Sequence, residues 1–458
     1  MSGIETHGLK SKQERCILVI DAGYFLTREV VRALQAEGHR SIVVPLRMPT
    51  SEALSDPDLF THFLHNVIAA TERERPQALF TINHLGFDAE GRLTELLETL
   101  ELPGLVWYVD SPRYIFLDHK ANVSDNIGIF LWDKSYESWM REIGFDKIET
   151  LPLATDPEIF CDAGNGNGER PPLPADGSHL SVGRSDDGDS LIFVGDSMAF
   201  AVDKAFSKIP PHLSPKFASG SNALIDELAH RFCETATMNA FNGRTLPWDI
   251  LEGLLENLPQ ENNHEFSRPG WSENSPRSHQ GMTQQERLNL ESALVLMATR
   301  LFRNRFVEKV AAAVGSERMV IYGDSDWNRV VNGSARIRPP VDYYRDLPRV
   351  YREAGAVLNV TGLQMPFALN QRCYDVPASG GFLLTDAQEA LHEQFEPDRE
   401  IVFFHSEEEL LDKWAYYNSN PSQRWQVIER GRRRVLQEHT YRNRIRKLLK
   451  VLDQWFNQ

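Results

Sequence analysis

The chain has 458 residues, of which 41% are hydrophobic and 25% are charged, a composition typical of a soluble globular protein with more than one domain. Its formal net charge of −16 disfavours a nucleic acid as the main partner, because binding to phosphates needs a basic surface. The four cysteines have neither metal-site nor disulfide spacing, so a zinc site and a secreted disulfide scaffold are both disfavoured.

The beginning of the chain bears on location. The first 15 residues are polar and lack the apolar segment of a signal peptide. No apolar run in the sequence is long enough to span a membrane. We therefore expect a cytoplasmic protein.

The first part of the chain alternates apolar strands with helices, which predicts a parallel sheet in a Rossmann-like domain. The predicted strands cover residues 16–21, 41–45, 78–82, 104–109, 127–132 and 148–153. Helices are predicted between them at residues 27–37, 59–73, 91–99 and 135–143.

Polar or small residues follow three of these strands. Gly23 follows the first strand, Asn83 and His84 follow the third, and Asp110 and Ser111 follow the fourth. Because parallel strands bind ligands beyond their carboxyl ends, these residues are candidates for substrate contact. The alternative is that Gly23 only serves its turn and that the polar side chains cap turns. A single glycine here does not make a dinucleotide-binding fingerprint.

The second part of the chain begins a new alternation after a polar linker rich in Gly, Pro, Asp and Ser. An insertion rich in predicted helices interrupts the alternation, and we assign it no chemistry. Strands are predicted at residues 191–196, 319–323, 357–360, 382–385 and 401–404. Helices are predicted at residues 222–235, 247–258, 284–313, 343–354, 407–417 and 421–456, with a further helix from about residue 368.

The segment from residue 357 to 386 is the strongest candidate for a binding site. Asn370 is predicted at a helix start, where backbone N–H groups attract anions such as phosphate. Arg372, Asp375 and Ser379 follow at a spacing that places them on one helix face. An arginine suits a diphosphate, and a carboxylate suits the hydroxyls of a ribose. The alternative is a surface ion pair between Arg372 and Asp375.

This segment and the residues that follow it resemble the C-terminal domain of GT-B glycosyltransferases, in particular the CgeB-like (spore maturation protein) branch of the group 1 family. The matching residues are Leu358-Asn359, Gly362, Asn370-Gln371-Arg372, Gly380-Gly381-Phe382, Thr385-Asp386, Phe395-Glu396-Pro397, the run at 407–410, and His439-Thr440-Tyr441. One departure concerns the two glutamates of better-known retaining GT-B enzymes. The second falls on Asp375, but the first falls on Phe367, which cannot do the same work.

The resemblance implies an α/β fold of GT-B architecture, with two Rossmann-like domains and a cleft between them. An acceptor domain is expected at residues 1–160, a flexible linker at 161–190, and a nucleotide-sugar domain at 191–425 with a helical insertion at about 200–314. The C-terminal helices at 426–458 are expected to pack back towards the first domain.

The implied activity is transfer of a sugar from a nucleotide-sugar, with a UDP-sugar as the expected donor, to a hydroxyl of a glycan, a protein or another cell-surface precursor. No other cofactor and no metal are expected. The residues assigned to the donor are Gly195, Gly323, Asn359, Thr361, Asn370, Arg372, Asp375, Ser379, Gly380 and Gly381. Those assigned to the acceptor side are Gly23, Asn83 and Ser111.

The stereochemistry stays open in the sequence. Relatives with this C-terminal domain retain configuration, and a retaining enzyme needs no separate base. An inverting enzyme needs a general base near the acceptor hydroxyl. Asp110 is the first candidate for that role and His84 the second.

Two functions besides sugar transfer are compatible with the same architecture. One is a catalytically silent GT-B subunit that binds or assembles, and Phe367 favours it because this residue replaces a glutamate. The second is a GT-B epimerase or phosphorylase, although no lysine for a phosphorylase cofactor is evident. Fold likeness alone does not decide between these activities.

The C-terminal segment from Arg424 to Lys450 is rich in arginine and lysine. These residues can form a solvated helix face that pairs with the acidic remainder of the chain. The alternative is a peripheral contact with an anionic membrane or an anionic acceptor.

Overall fold

The computed structural model describes residues 14–46, 57–115, 120–161, 189–209, 230–231 and 283–456. The helix predicted at 247–258, nearly all of the helix predicted at 222–235 and nearly all of the predicted linker lie outside these ranges. Two six-stranded parallel sheets form the framework, as expected for two Rossmann-like units.

The first sheet has the strand order β2-β1-β3-β4-β5-β6, with every pairing parallel. Its strands are β1 (Cys16–Asp21), β2 (Arg40–Pro45), β3 (Ala78–Ile82), β4 (Gly104–Tyr108), β5 (Ile127–Leu131) and β6 (Ile148–Thr150). The central strands β3, β4 and β5 are buried along their whole length. Helices cover both faces of such a sheet, which is why these strands are continuous apolar runs.

The second sheet has the order β12-β11-β10-β7-β8-β9 and is also parallel throughout. Its strands are β7 (Leu191–Val194), β8 (Met319–Tyr322), β9 (Arg336–Arg338), β10 (Ala356–Asn359), β11 (Leu383–Asp386) and β12 (Val402–Phe404). The edge strand β9 was not predicted, because its Arg-Ile-Arg sequence carries no apolar run.

Helices connect and cover the strands. They are Thr27–Ala36, Pro57–Glu74, Arg92–Thr99, Pro112–Ile115, Glu137–Ile143, Pro157–Phe160, Ala199–Phe206, Gln284–Val314, Trp327–Val331, Leu347–Glu353, Arg372–Ala378, Glu389–Gln394, Glu407–Ser419, Pro421–Glu438 and Tyr441–Phe456. Among the described residues, no helix combines the length and the apolar character needed to cross a bilayer.

The helix Gln284–Val314, called the long helix below, makes up most of the described part of the predicted insertion. It begins at a capping box, in which Thr283 accepts a hydrogen bond from the backbone N–H of Glu286 and the Glu286 side chain accepts one from Thr283. Near its start, Glu291 forms a bidentate ion pair with Arg113, which belongs to the first sheet's unit. The long helix therefore contacts both units.

The helix predicted from about residue 368 begins later, at Arg372. The residues before it form a loop that is fastened to the first sheet's unit. The backbone N–H of Phe367 donates to the buried Asp133 carboxylate at 3.1 Å, and Tyr136 donates to the carbonyl of Gln364 at 2.9 Å. These contacts hold the loop in a non-helical conformation, so Asn370 precedes the helix and does not lie in its first turn.

The last helix, Tyr441–Phe456, lies against the first sheet's unit. The Trp455 ring stacks at a tilt on Phe130, with the ring centroids 5.1 Å apart. A short bridge joins Thr155 to Thr440, where Thr155 N–H donates to His439 and Tyr441 N–H donates to Thr155, both at 3.0 Å. The chain thus passes between the two units at two adjacent points.

The basic C-terminal segment is largely engaged within the chain. Arg442 and Arg446 both bind the buried Glu37 carboxylate, and Lys447 pairs with Glu149. The buried Arg444 donates to the carbonyls of residues 152 and 153. These contacts favour the intramolecular pairing, and contact with an anionic membrane stays a prediction.

Candidate active site

Glycines allow close packing at the carboxyl end of the second sheet. Gly195 and Gly323 follow the neighbouring strands β7 and β8. A Cβ atom on Gly323 would lie 2.3 Å from the Gly195 carbonyl oxygen, so only glycine fits there. That carbonyl also accepts a hydrogen bond from the Trp327 indole at 2.8 Å. The Asp324 carboxylate accepts the backbone N–H of Ser197 at 2.7 Å and so fixes the loop after β7.

Arg372 lies at the same edge of the second sheet. Its guanidinium donates to the carbonyl of Val194, at the end of β7, and to Asn359 Oδ1 at 3.3 Å, at the end of β10. It also lies over the ring of Phe193, 5.8 Å from the centroid. A Cβ atom on Gly195 would be 3.1 Å from the same guanidinium. The arginine is therefore held at the point where an anion would approach the glycine loops.

A buried polar network supports Arg372. Asn359 Oδ1 also accepts from the Asn370 amide at 2.8 Å, and Asn359 Nδ2 donates to the Thr385 hydroxyl at 2.9 Å. Thr361 donates to Asp386 Oδ1 through its backbone N–H and its hydroxyl, both at 2.9 Å. Burial raises the pKa of the Asp386 carboxyl, and hydrogen bonds from Thr361 and other groups oppose that shift. The predicted donor residues Asn359, Thr361, Asn370 and Arg372 are thus close together.

Arg303, on the long helix, is a site residue that the sequence did not indicate. One turn earlier, Thr299 accepts the backbone N–H of Leu363 at 3.2 Å, which places the helix against the loop after β10. Burial and the positive charge of Arg372 together lower the pKa of Arg303 to about 10, opposed by the negative charges of Asp196 and Asp386. Its Nε atom has no hydrogen-bond partner among the described residues. Two arginines therefore share this edge.

Asp375 has a different position from the one predicted. Both of its oxygens are occupied by hydroxyls of the chain itself: Thr155 donates to Oδ1 at 2.7 Å and Tyr343 donates to Oδ2 at 2.8 Å. Asp375 does not pair with Arg372, so the two residues do not form a surface ion pair. The carboxyl lies beside the crossing point at Thr155 and Thr440, and this geometry does not favour a ribose contact.

Three further predicted donor residues lie at the other end of the short helix. The Ser379 hydroxyl donates to the Asp375 carbonyl at 2.8 Å. Gly380 has a positive φ of 75° and ends the helix, and its N–H donates to Pro377. The Gly381 N–H donates to Val376, and a Cβ atom there would lie 2.5 Å from the Tyr351 carbonyl. The helix end uses these N–H groups, so they do not face a diphosphate.

Burial raises the pKa of Asp375 to about 8, opposed by the hydrogen bonds from Thr155, Tyr343 and Gln371. In an unfolded chain, an aspartate ionises near pH 4. At this carboxyl the folded protein therefore binds more protons than the unfolded chain between about pH 4 and about pH 8. The contribution of Asp375 to stability should fall as the pH rises through this window and then level off.

Replacing Asp375 with asparagine is expected to remove this part of the pH dependence, because the amide has a similar shape and cannot ionise. The melting temperature of the variant relative to the wild type should rise between about pH 5 and about pH 8. Thermal scans across this range provide the measurement, with Asp125→Asn as the control, since Asp125 is 95% exposed. A difference that stays constant with pH would contradict the assignment.

The carboxyl end of the first sheet carries a second group of polar residues. Asn83 Oδ1 accepts the backbone N–H groups of Val109 at 2.9 Å and Asp110 at 3.2 Å. Asn83 Nδ2 donates to Asp110 Oδ2 at 2.7 Å, and the Tyr24 hydroxyl donates to the same oxygen. Neither donor is a backbone N–H, so the observed contacts of Asp110 are not those of a turn cap. The exposed carboxylate is held in place by side chains from two other loops.

The remaining predicted residues of this edge differ in exposure. His84 is buried between Phe87 and Tyr108, and its Nδ1 atom is 2.8 Å from the Tyr108 hydroxyl. Ser111 is buried as well, whereas Gly23 is exposed, with open space beside it. Burial favours a structural role for His84 and Ser111. Asp110 is therefore the residue of this edge best placed to meet a substrate.

Backbone strain also marks this edge. Asn83 has a φ of 52° and His84 has a φ of 63°. Consecutive non-glycine residues with left-handed backbone are uncommon and occur where the surrounding structure enforces them, often at functional sites. Here the strained turn after β3 directs the Asn83 amide towards Asp110.

Residues 303–450 match the family described as "Glycosyl transferase-like". The matched region begins at Arg303 and includes the whole segment from residue 357 to 386, which carries Arg372. A search of curated proteins found no significant match.

Solved structures share the whole architecture at low sequence identity. An alpha-glucosyltransferase in complex with UDP and a 13-mer DNA containing an HMU base has a TM-score of 0.53 and 9% identity, covering 96% of this chain and 100% of its own. Sucrose-phosphate synthase from Thermosynechococcus elongatus has a TM-score of 0.50 and 11% identity, covering 97% and 100%. At such identities the likeness shows the fold.

Proposed function

We propose that this chain, which has the GT-B fold and a glycosyl transferase-like C-terminal region, is a glycosyltransferase that moves a sugar from a nucleotide-sugar to an acceptor hydroxyl. The observation that carries the proposal is the pair of arginines, Arg372 and Arg303, beside the glycine loops after β7 and β8. Two neighbouring positive charges at the ligand-binding edge of a parallel sheet suit a diphosphate.

The arginines would act on the leaving group. Negative charge develops on the nucleoside diphosphate as the glycosidic bond breaks, and preorganised positive charge at that position stabilises the transition state. Arg372 is already fixed by Val194 and Asn359, so little reorganisation is needed when charge develops. We therefore propose a mechanism in which guanidinium groups, and no metal ion, neutralise the diphosphate.

A UDP-sugar is the donor that we propose. The similar alpha-glucosyltransferase was solved in complex with UDP, and this supports the choice of nucleotide. That neighbour was solved in complex with DNA, whereas this chain has a net charge of −16, so we propose a glycan, a protein or another cell-surface precursor as the acceptor. We also propose a cytoplasmic location.

Asp110 is proposed to bind the acceptor. Its Oδ2 atom already accepts from Asn83 and Tyr24, and its Oδ1 atom is left to accept a hydroxyl of the substrate. In a retaining reaction, which the resemblance to the group 1 family favours, the carboxylate would orient that hydroxyl. In an inverting reaction it would also take the proton. His84, which is buried, would support the strand ends.

A catalytically silent binding subunit is the second candidate. Two observations favour it: Phe367 occupies the position of the first glutamate of retaining relatives, and Asp375 is occupied by hydroxyls of the chain itself. The buried network behind Arg372 favours the enzyme, because it keeps the guanidinium at the ligand-binding edge.

UDP-sugars are expected to raise the melting temperature more than GDP-, ADP- or dTDP-sugars. A ligand that binds only the folded protein adds about 2.7 kcal/mol of stability at about a hundredfold excess over its Kd. The measurement is thermal scanning of the full chain with each nucleotide-sugar. Absence of a shift with any donor would contradict the proposed function, and stabilisation without release of free nucleotide in the presence of acceptors would favour the silent subunit.

A further inference from the structure

The loop after β1 carries an aromatic pair that the sequence did not single out. Tyr24 and Phe25 follow Gly23, whose φ of 76° turns the chain away from the strand. Tyr24 donates through its hydroxyl to Asp110 Oδ2. Burial and the negative charge of Asp110 raise the pKa of Tyr24 well above its ordinary value, so the hydroxyl stays protonated and remains a donor.

The Asp110 carboxylate is oriented by this contact. Tyr24 and the Asn83 amide both donate to Oδ2, from the loops after β1 and β3, so the plane of the carboxylate is fixed from two directions. The ion pairs of the described residues do not include Asp110. Its alignment therefore depends on these two donors.

The second sheet's unit holds the same loop. The Tyr344 hydroxyl donates to the Phe25 carbonyl at 2.9 Å. The Phe25 ring is 43% exposed and packs edge-on against Tyr343, with the ring centroids 6.3 Å apart. Tyr343 in turn donates to Asp375, close to the point where the chain crosses between the units. A continuous set of contacts thus runs from the crossing point to Asp110.

We propose that Tyr24 is a positioning residue that orients the Asp110 carboxylate towards the acceptor. Tyr344 holds the loop that carries Tyr24 in this position only when the two units are in contact. This inference rests on the proposed acceptor role of Asp110. The loop after β1 thereby couples the unit that is proposed to bind the donor to the carboxylate that is proposed to bind the acceptor. Such an arrangement completes the site upon closure of the cleft and so limits reaction with water.

The test is a set of substitutions in the full-length protein. Tyr24→Phe removes one hydroxyl and keeps the ring, and is expected to lower kcat about tenfold or more, which is the scale of a hydrogen bond to a charged group. The affinity for the nucleotide-sugar should be unchanged, because the donor lies on the other sheet. Tyr416→Phe is the matched control, since this tyrosine is 52% exposed and lies on the helix Glu407–Ser419, outside both edges.

Two double variants separate positioning from a general structural effect. In an Asp110→Asn background, Tyr24→Phe should cause no further loss, because it acts through that carboxylate. Tyr344→Phe should lower kcat by itself and add little to Tyr24→Phe. A kcat of Tyr24→Phe equal to that of the wild type would overturn the inference. A double variant whose fold-loss in kcat equals the product of the two single fold-losses would overturn it as well.

The inference and the proposed function fail in different ways. If the wild type transfers no sugar from any nucleotide-sugar, the proposed function is wrong. If the wild type is active and Tyr24→Phe matches it in kcat, the glycosyltransferase assignment stands and only the positioning role is wrong.

Discussion

Replacing Asp110 with asparagine is expected to lower the rate of sugar transfer by about 100-fold or more, while nucleotide affinity stays unchanged. In the native chain, Oδ2 accepts from Tyr24 and Asn83. The asparagine can keep both hydrogen bonds only by turning its oxygen towards these donors, which turns its NH₂ group towards the acceptor. An NH₂ group cannot accept the proton or the hydrogen bond of a hydroxyl. The variant should therefore keep the local structure but lose the contact with the acceptor hydroxyl.

The transfer rate and the nucleotide affinity should be measured on the same preparation. Asp125→Asn is the control, because that carboxylate is on the same unit and 95% exposed. It is expected to match the wild type in both measurements. Near-normal turnover of Asp110→Asn would show that the carboxylate serves only the architecture of the loops and would remove it from the active site.

The strands of both sheets could be predicted because a strand buried on both faces must be apolar throughout. β1, β3 and β4 are of this kind, and each is followed by polar or small residues at the ligand-binding edge. The sequence therefore placed Asn83 and Asp110 at one edge correctly. It could not give the strained backbone of Asn83, nor the contact with Tyr24, which is 86 residues from Asp110.

The cluster of residues at the edge of the second sheet, which we propose as the donor site, was predicted in part. Asn359, Asn370 and Arg372 are close in sequence, and local spacing was enough to bring them together. Arg303 lies on a helix whose sequence carries no ligand-binding motif, and the packing of Thr299 against the loop after β10 brings it to the site. The contribution of the insertion was therefore invisible in the sequence.

Asp375, Gly380 and Gly381 show that a sequence motif does not by itself identify the contacts of its residues. Asp375 binds Thr155, which is 220 residues away, and no local signal could identify that partner. Gly380 and Gly381 were read correctly as the end of a helix, but their N–H groups satisfy the helix carbonyls. Side chains on one helix face can thus serve different partners, since Arg372 reaches β7 while Asp375 reaches the crossing point.

Replacing Arg372 with alanine is expected to weaken nucleotide-sugar binding by about 1.5–3 kcal/mol, the scale of a lost charge-assisted hydrogen bond. This corresponds to roughly 10- to 150-fold in Kd. The guanidinium is fixed by Val194 and Asn359, so the native site has already lost the conformational freedom that binding would otherwise cost. Titration calorimetry of the wild type and of Arg372→Ala, each with the UDP-sugar and with UMP, would test the assignment. UMP lacks the second phosphate, so the substitution should weaken the binding of UMP less than that of the UDP-sugar.

Arg399→Ala is the matched control, since this arginine is 63% exposed and pairs only with Glu396 among the ion pairs of the described residues. The role of Arg303 is tested in the same way with Arg303→Gln, which should weaken binding in the same direction because it removes the second positive charge. Even with its pKa lowered to about 10, Arg303 stays charged at neutral pH, so each arginine contributes its own positive charge. The double variant should therefore lose more affinity than either single variant. Unchanged affinity in Arg372→Ala would place the diphosphate elsewhere and leave Arg372 as a structural link between β7 and β10.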